Sequence, residues 1–141
     1  MEATPGEVVD YDVIRRRINE FGKRFHIRQI AIDRWNATQL DGDGFEIVAF
    51  GQGYASMSAP TKRLEELILS RKIAHAGHPV LRWMASNVSL ETDAADNWKP
   101  SKKRSPERID GIVAAVMAVA QAMNEPIRRK SVYERRGVLV A

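Results

Sequence analysis

An α/β fold is predicted from three observations. Two short apolar runs, one in "IRQIAID" and one in "FEIVAF" at 45–50, are brief and rich in β-branched residues, as buried strands of a parallel sheet are. Around and after them lie segments whose apolar residues recur at helical spacing. At 141 residues, with 44% hydrophobic and 28% charged, the chain is long enough for one domain with a real core.

Asp10 is placed to cap a first helix running to about Phe25, with Val13, Ile14, Ile18, Phe21 and Phe25 on one face. The first strand follows through Ile30, Ala31 and Ile32 and stops at Asp33. The second closes on the breaker Gly51-Gln52-Gly53. Only residues 34–44 connect them, at the short limit for a parallel crossover. Ser58, with Pro60 after it, predicts the start of the next helix, on which Leu64, Leu67 and Ile68 repeat at helical spacing. His78 before Pro79 starts another, with Trp83 in its core-facing pattern. Residues 91–105 read as a long exposed loop. Ser105-Pro106 is expected to cap a last helix whose buried stripe is Ile109, Ile112, Val113, Val116, Met117 and Ala120. Residues 1–123 form the domain, and 124–141 a basic, loosely held tail.

No run approaches the ~18 apolar residues of a membrane span, and the N-terminus lacks a signal-peptide pattern, so a soluble, intracellular protein is expected. The absence of cysteine excludes disulfides and zinc-thiolate sites, so any metal site must use oxygen or imidazole ligands. Lysine and arginine number 22 against 18 acidic residues, and clusters such as Lys102-Lys103-Arg104 suit a polyanion or simply a solvated surface.

Two carboxylates stand out. Asp33 ends a predicted strand, the edge where open α/β sheets keep ligands. Asp110 begins an apolar helix, where the dipole favours negative charge but where a neighbouring cation, side chain or metal, is also called for. Together they could hold Mg²⁺ or Mn²⁺, since hard cations take oxygen ligands; on spacing alone a turn-forming Asp33 and a capping Asp110 are the commoner roles. The loop "KPSKKRSPERID" would bring phosphates to Asp110. Trp98 in the predicted loop 91–105 is a base-stacking candidate, and "HAGH" at 75–78 is first a loop or cap rather than a metal site. "GQGYAS" lacks the Lys-Ser/Thr ending of a phosphate-binding loop.

Four ordered blocks, "IAIDRWNATQL", "FGQGYASMSAPTKRLEELIL", "IAHAGHPVLRWMASNV" and "KPSKKRSPERIDGIVAAVMA", resemble the C-terminal nuclease domain of the tailed-phage and prophage terminase large subunit, from about Thr4 to Met123. The resemblance implies an RNase H-like mixed sheet flanked by helices, and an endonuclease that cuts concatemeric double-stranded DNA during genome packaging. It implies two Mg²⁺ or Mn²⁺ ions held by acids among which Asp33 and Asp110 match. Lys99, Lys102, Lys103 and Arg104 would lie against the DNA backbone. The implied partners are viral DNA, the portal protein and the small terminase subunit, in the host bacterial cytoplasm, with ATP used only by a motor domain. No segment matches the family's first catalytic aspartate or that motor domain, and the 34–44 connector is shorter than the family's. The expectation is therefore a fragment incomplete at its N-terminal side, weak in metal binding and cutting, with open sheet edges that allow self-association. A resolvase- or transposase-type nuclease and a non-catalytic DNA- or portal-binding module are the alternatives.

Overall fold

The computed structural model describes residues 10–35 and 45–124. The expected tail beyond Asn124 and most of the 34–44 connector lie outside these residues. Helix α1 spans Tyr11–Gly22, capped as expected by Asp10, whose carboxylate accepts the Asp12 amide at 2.9 Å. It ends three residues earlier than Phe25, and Phe21 and Phe25 are exposed.

Strands β1 (Gln29–Asp33) and β2 (Glu46–Phe50) pair in parallel, with Asp33 opposite Phe50. The apolar runs therefore form the predicted parallel pair. Helix α2 (Tyr54–Leu69) begins earlier than expected, from Gly53, so Pro60 falls inside the helix. Ser58 is not its cap: the hydroxyl is buried and accepts the Trp98 amide at 3.3 Å. Pro60 has no amide to offer the Ser56 carbonyl, and Thr61 Oγ1 donates to Met57 O at 2.6 Å on the same buried face.

Helix α3 (Pro79–Ser86) starts after His78 as predicted, but Trp83 is 45% exposed instead of packed in the core. Eight residues give this helix one narrow contact stripe, and Leu81 and Met84 occupy it against the first turn of the last helix. There Gly111 permits the approach: a Cβ would sit 2.8 Å from Met84 Sδ.

The expected long loop is instead a hairpin, β3 (Leu90–Thr92) antiparallel to β4 (Trp98–Pro100). Its turn is built by polar groups. Asp93 accepts the amides of Ala95 and Asn97, each at 2.9 Å, and the Asn97 side chain at 3.1 Å, while Asp96 takes a left-handed φ of 57°. Helix α4 (Asp110–Asn124) starts at Asp110, not at Ser105-Pro106, because Ser105 is used elsewhere. Its stripe of Val113, Val116, Met117 and Ala120, led by Ile109, meets Phe50, Met57 and Leu64 in the core; Ile112 is only partly buried. Burying such side chains contributes about 1.5–3 kcal/mol each, which makes α4 against α2 the main stabilising contact.

Candidate metal centre and nucleic-acid interface

Asp33 and Asp110 stand at one end of the molecule. Helix α4 packs on β1, and its late residues Gln121 and Ala122 share a shallow cleft with residues 25–29, at the start of that strand. The two elements therefore run in opposite directions. Over Gln29–Asp33 the strand advances about 13 Å and from Gln121 back to Asp110 the helix returns about 16 Å, so both carboxylates reach the same edge.

Each carboxylate is held by a different kind of donor. Asp33 Oδ1 accepts the Trp35 amide at 3.0 Å, and Oδ2 accepts Gln52 Nε2 at 2.9 Å. Gln52 lies two residues past the end of β2, whose last residue pairs with Asp33, so the strand register delivers it. The glycine beside it matters for a neighbouring cation: a Cβ on Gly51 would lie 3.1 Å from the Arg34 guanidinium. Asp110 Oδ1 instead meets Lys102 Nζ at 2.7 Å, with the two side chains 52% and 55% exposed. The cation called for beside Asp110 is thus supplied in this structure by a side chain. That ammonium, through its hydrogen bond above all, holds the Asp110 carboxyl below the usual aspartate range, against the opposing effect of partial burial.

A third acid escaped the sequence reading. Glu91 on β3 accepts from Lys99 Nζ at 2.7 Å and from Ser101 Oγ at 2.8 Å, and Lys99, then Ser101, draw its pKa down. Lys99 is only 19% exposed and also lies 5.3 Å from the Tyr54 ring centre, so its ammonium is engaged on two sides. Gln52, Glu91, Lys99, Ser101 and Lys102 line one cleft of about 310 Å³. A second, of about 340 Å³, runs from Lys102 past Ser105 to Asp110. The only sequence signal for Glu91 and Gln52 would have been the strand register, which places one opposite Lys99 and the other just past Phe50.

The basic turn is held by hydroxyl groups. Ser101 donates its amide to Ser89 O at 2.8 Å, its carbonyl accepts the Ser105 amide at 3.0 Å and the Ser105 hydroxyl at 2.8 Å, and Ser105 Oγ accepts the Ser89 amide at 3.1 Å. Lys102, Lys103 and Arg104 project from this closed turn, all exposed. Trp98, expected as a stacking residue in an open loop, is a partly buried strand residue with Lys62 Nζ 5.8 Å from its ring centre. His75 accepts the Gly77 amide at 3.2 Å, a turn role.

Oxygen donors at Asp33 and Asp110 suit a hard cation, which is often bound by one or two carboxylates with waters and substrate phosphates. Among the described residues, no three His, Cys, Asp or Glu side chains gather closely enough to hold a metal by themselves.

Residues 1–125 match the family described as "Terminase large subunit, endonuclease domain". The chain belongs to that terminase nuclease family. Similar proteins include the terminase large subunit of Enterobacteria phage HK97, 37% identical over 131 residues, which are 89% of this chain and 26% of that protein. Protein YmfN of Escherichia coli strain K12 is 35% identical over 129 residues, 87% of this chain and 28% of that protein. The crystal structure of the HK97 bacteriophage large terminase superposes with a TM-score of 0.76 at 37% identity, covering 84% of this chain and 26% of that one. The terminase likeness establishes the mixed α/β, RNase H-like class, of which the described residues hold one parallel strand pair and a separate hairpin. The chain spans about a quarter of the length of these relatives. No helix among the described residues is long and apolar enough to cross a membrane.

Proposed function

We propose that this chain is the part of a terminase large subunit that hydrolyses phosphodiester bonds of concatemeric double-stranded DNA during genome packaging, in the cytoplasm of the host bacterium. The observation that carries the reading is the link between the two acids through their partners: Gln52, bonded to Asp33, and Lys102, paired with Asp110, line the same cleft beside the basic turn. Both would hold Mg²⁺ or Mn²⁺. Such ions, when bound, supply activation of an attacking water and neutralisation of the leaving oxygen. Gln52 and the Trp35 amide orient Asp33, so that its carboxylate presents a fixed face. Lys103 and Arg104, and Lys102 when released, meet the backbone phosphates; Lys99 sets the shape of the cleft floor through Glu91. Portal protein and small terminase subunit are the partners of the parent assembly, and the edges of the strand pair, unpaired among the described residues, offer a route to self-association.

Among the described residues these two carboxylates would leave most of a two-metal cage to waters and phosphate, so the isolated chain should cut weakly. A plasmid-nicking assay in Mn²⁺ tests this by comparing the 141-residue chain with a form extended by the residues encoded upstream. Cutting by the extended form alone supports the reading, and efficient cutting by the chain alone, lost in Asp110→Ala, overturns the impairment. The Lys102–Asp110 pair favours a second reading, a DNA-binding module without chemistry. In that case Asp33→Asn and Asp110→Asn leave DNA affinity unchanged or raised, with no metal dependence to lose.

A further inference from the structure

We infer that Lys102 is a placeholder cation: it holds the Asp110 carboxylate until a divalent ion takes that position, and then turns its ammonium to a DNA phosphate. The inference rests on the reading of Asp110 as a cation ligand. Lys102 Nζ stands 2.7 Å from Asp110 Oδ1, so the ammonium occupies one of the positions from which a cation could bind that carboxylate. Both side chains are about half exposed, and an ion pair in that setting is weak enough for a divalent ion to displace.

The displaced ammonium has somewhere to go. Lys102 lines the Asp110 cleft and also the neighbouring cleft with Gln52 and Glu91, so rotation of its long stem carries the charge from one to the other. The backbone need not move, because Ser101 and Ser105 hold both ends of the turn. Lys99, three residues earlier, shows the contrast: it is 19% exposed and fixed between Glu91 and the Tyr54 ring, and it cannot play this part. Lys103 is exposed but has no place in the Asp110 cleft. Within the basic turn, Lys102 is therefore the residue that couples metal uptake to phosphate binding.

Mn²⁺ binding to the 141-residue chain, followed by the electron paramagnetic resonance signal of free Mn²⁺, tests this as a double-mutant cycle. Asp110→Asn should weaken binding. Lys102→Met should strengthen it about three- to fivefold, the scale of a half-exposed pair removed as competitor. Lys102→Arg, which keeps the charge, should bind no tighter than the parent chain, and Lys102→Met on the Asp110→Asn background should change nothing further. A gain of equal size on both backgrounds is a general field effect and overturns the inference. A weakened Asp110→Asn beside an unchanged Lys102→Met overturns the inference alone, and an Asp110→Asn chain that binds Mn²⁺ as well as the parent removes the reading of Asp110 with it. For the phosphate half, Lys102→Met should weaken binding of a short duplex more in Ca²⁺ than without it; equal weakening refutes the turn toward DNA.

Discussion

Asp33 and Asp110 reach one edge of the molecule on carriers of different kinds. Asp110 stands at the head of α4, directly after Ile109, one of the most buried side chains in the core, yet its carboxylate is exposed and held by a movable cation. Asp33 ends a strand on which every residue is half-buried, yet its carboxylate is fixed by two neutral donors, one of them a backbone amide. One acid has a rigid base and a loose head, the other a softer base and a fixed head. A neutral donor orients a carboxylate without competing for its charge, whereas an ammonium orients it and competes. On the proposed reading of both acids as cation ligands, the Asp33 side offers a cation an uncontested carboxylate and the Asp110 side one already engaged by a competing charge.

The comparison can be broken first at its bases. Ile109→Ala should cost about 3 kcal/mol in urea unfolding by opening a cavity under α4, while Ile32→Ala on the half-buried strand should cost less than half as much. Equal losses would erase the distinction between the carriers. Next comes the clamp of the basic turn: Ser101→Ala removes the donor to Glu91 and the acceptor of the Arg104 amide, and should cost about 1–2 kcal/mol while raising amide exchange at 102–104.

Acid pH probes the charged side. The folded chain depresses the pKa of Glu91 and of Asp110, so their ionised forms add stability above the ordinary carboxylate range near 4, and that stability is lost as pH falls through the lowered folded values. Unfolding midpoints should therefore be flat between pH 6 and 8 for these groups and decline below about pH 4.5. Lys102→Met should make the acid decline shallower. The smallest effect separates the heads: Gln52→Ala and Lys102→Met should each cost a few tenths of a kcal/mol. Only the lysine effect should shrink between 0.05 and 0.5 M salt, since exposed charges are screened and a neutral amide is not.

Much of this architecture was legible in the sequence. The spacing of Ile109, Val113, Val116, Met117 and Ala120 lines one side of a helix, and the short β-branched runs pointed to buried strands of a parallel sheet despite a connector at the short limit for one. Both acids were visible as charges at the ends of apolar elements. What stayed hidden depends on contacts that residue spacing does not show. The hairpin 90–100 has few apolar residues and is closed by Asp93, Ser58 and Ser101, so its composition reads as loop. Ser58 looked like a helix cap because a cap and a buried acceptor for Trp98 use the same hydroxyl. Trp83 looked like core because apolar spacing does not tell which stripe of a short helix the neighbour covers. Lys102 and Asp110 lie eight positions apart, a separation that no helix or strand periodicity pairs, and only the closed turn brings them together.

That turn keeps its form and its charge in separate residues. Ser89, Ser101 and Ser105 supply the bonds that set its path, and none of them ionises between pH 2 and pH 12. Lys102, Lys103 and Arg104 supply the electrostatic field and make none of the serine-to-serine bonds that close the turn. The cations are thus free to be exchanged one for another, or inverted in sign, on a loop whose trajectory does not change. The strength of the charge at this surface can therefore change without any change in where it is held.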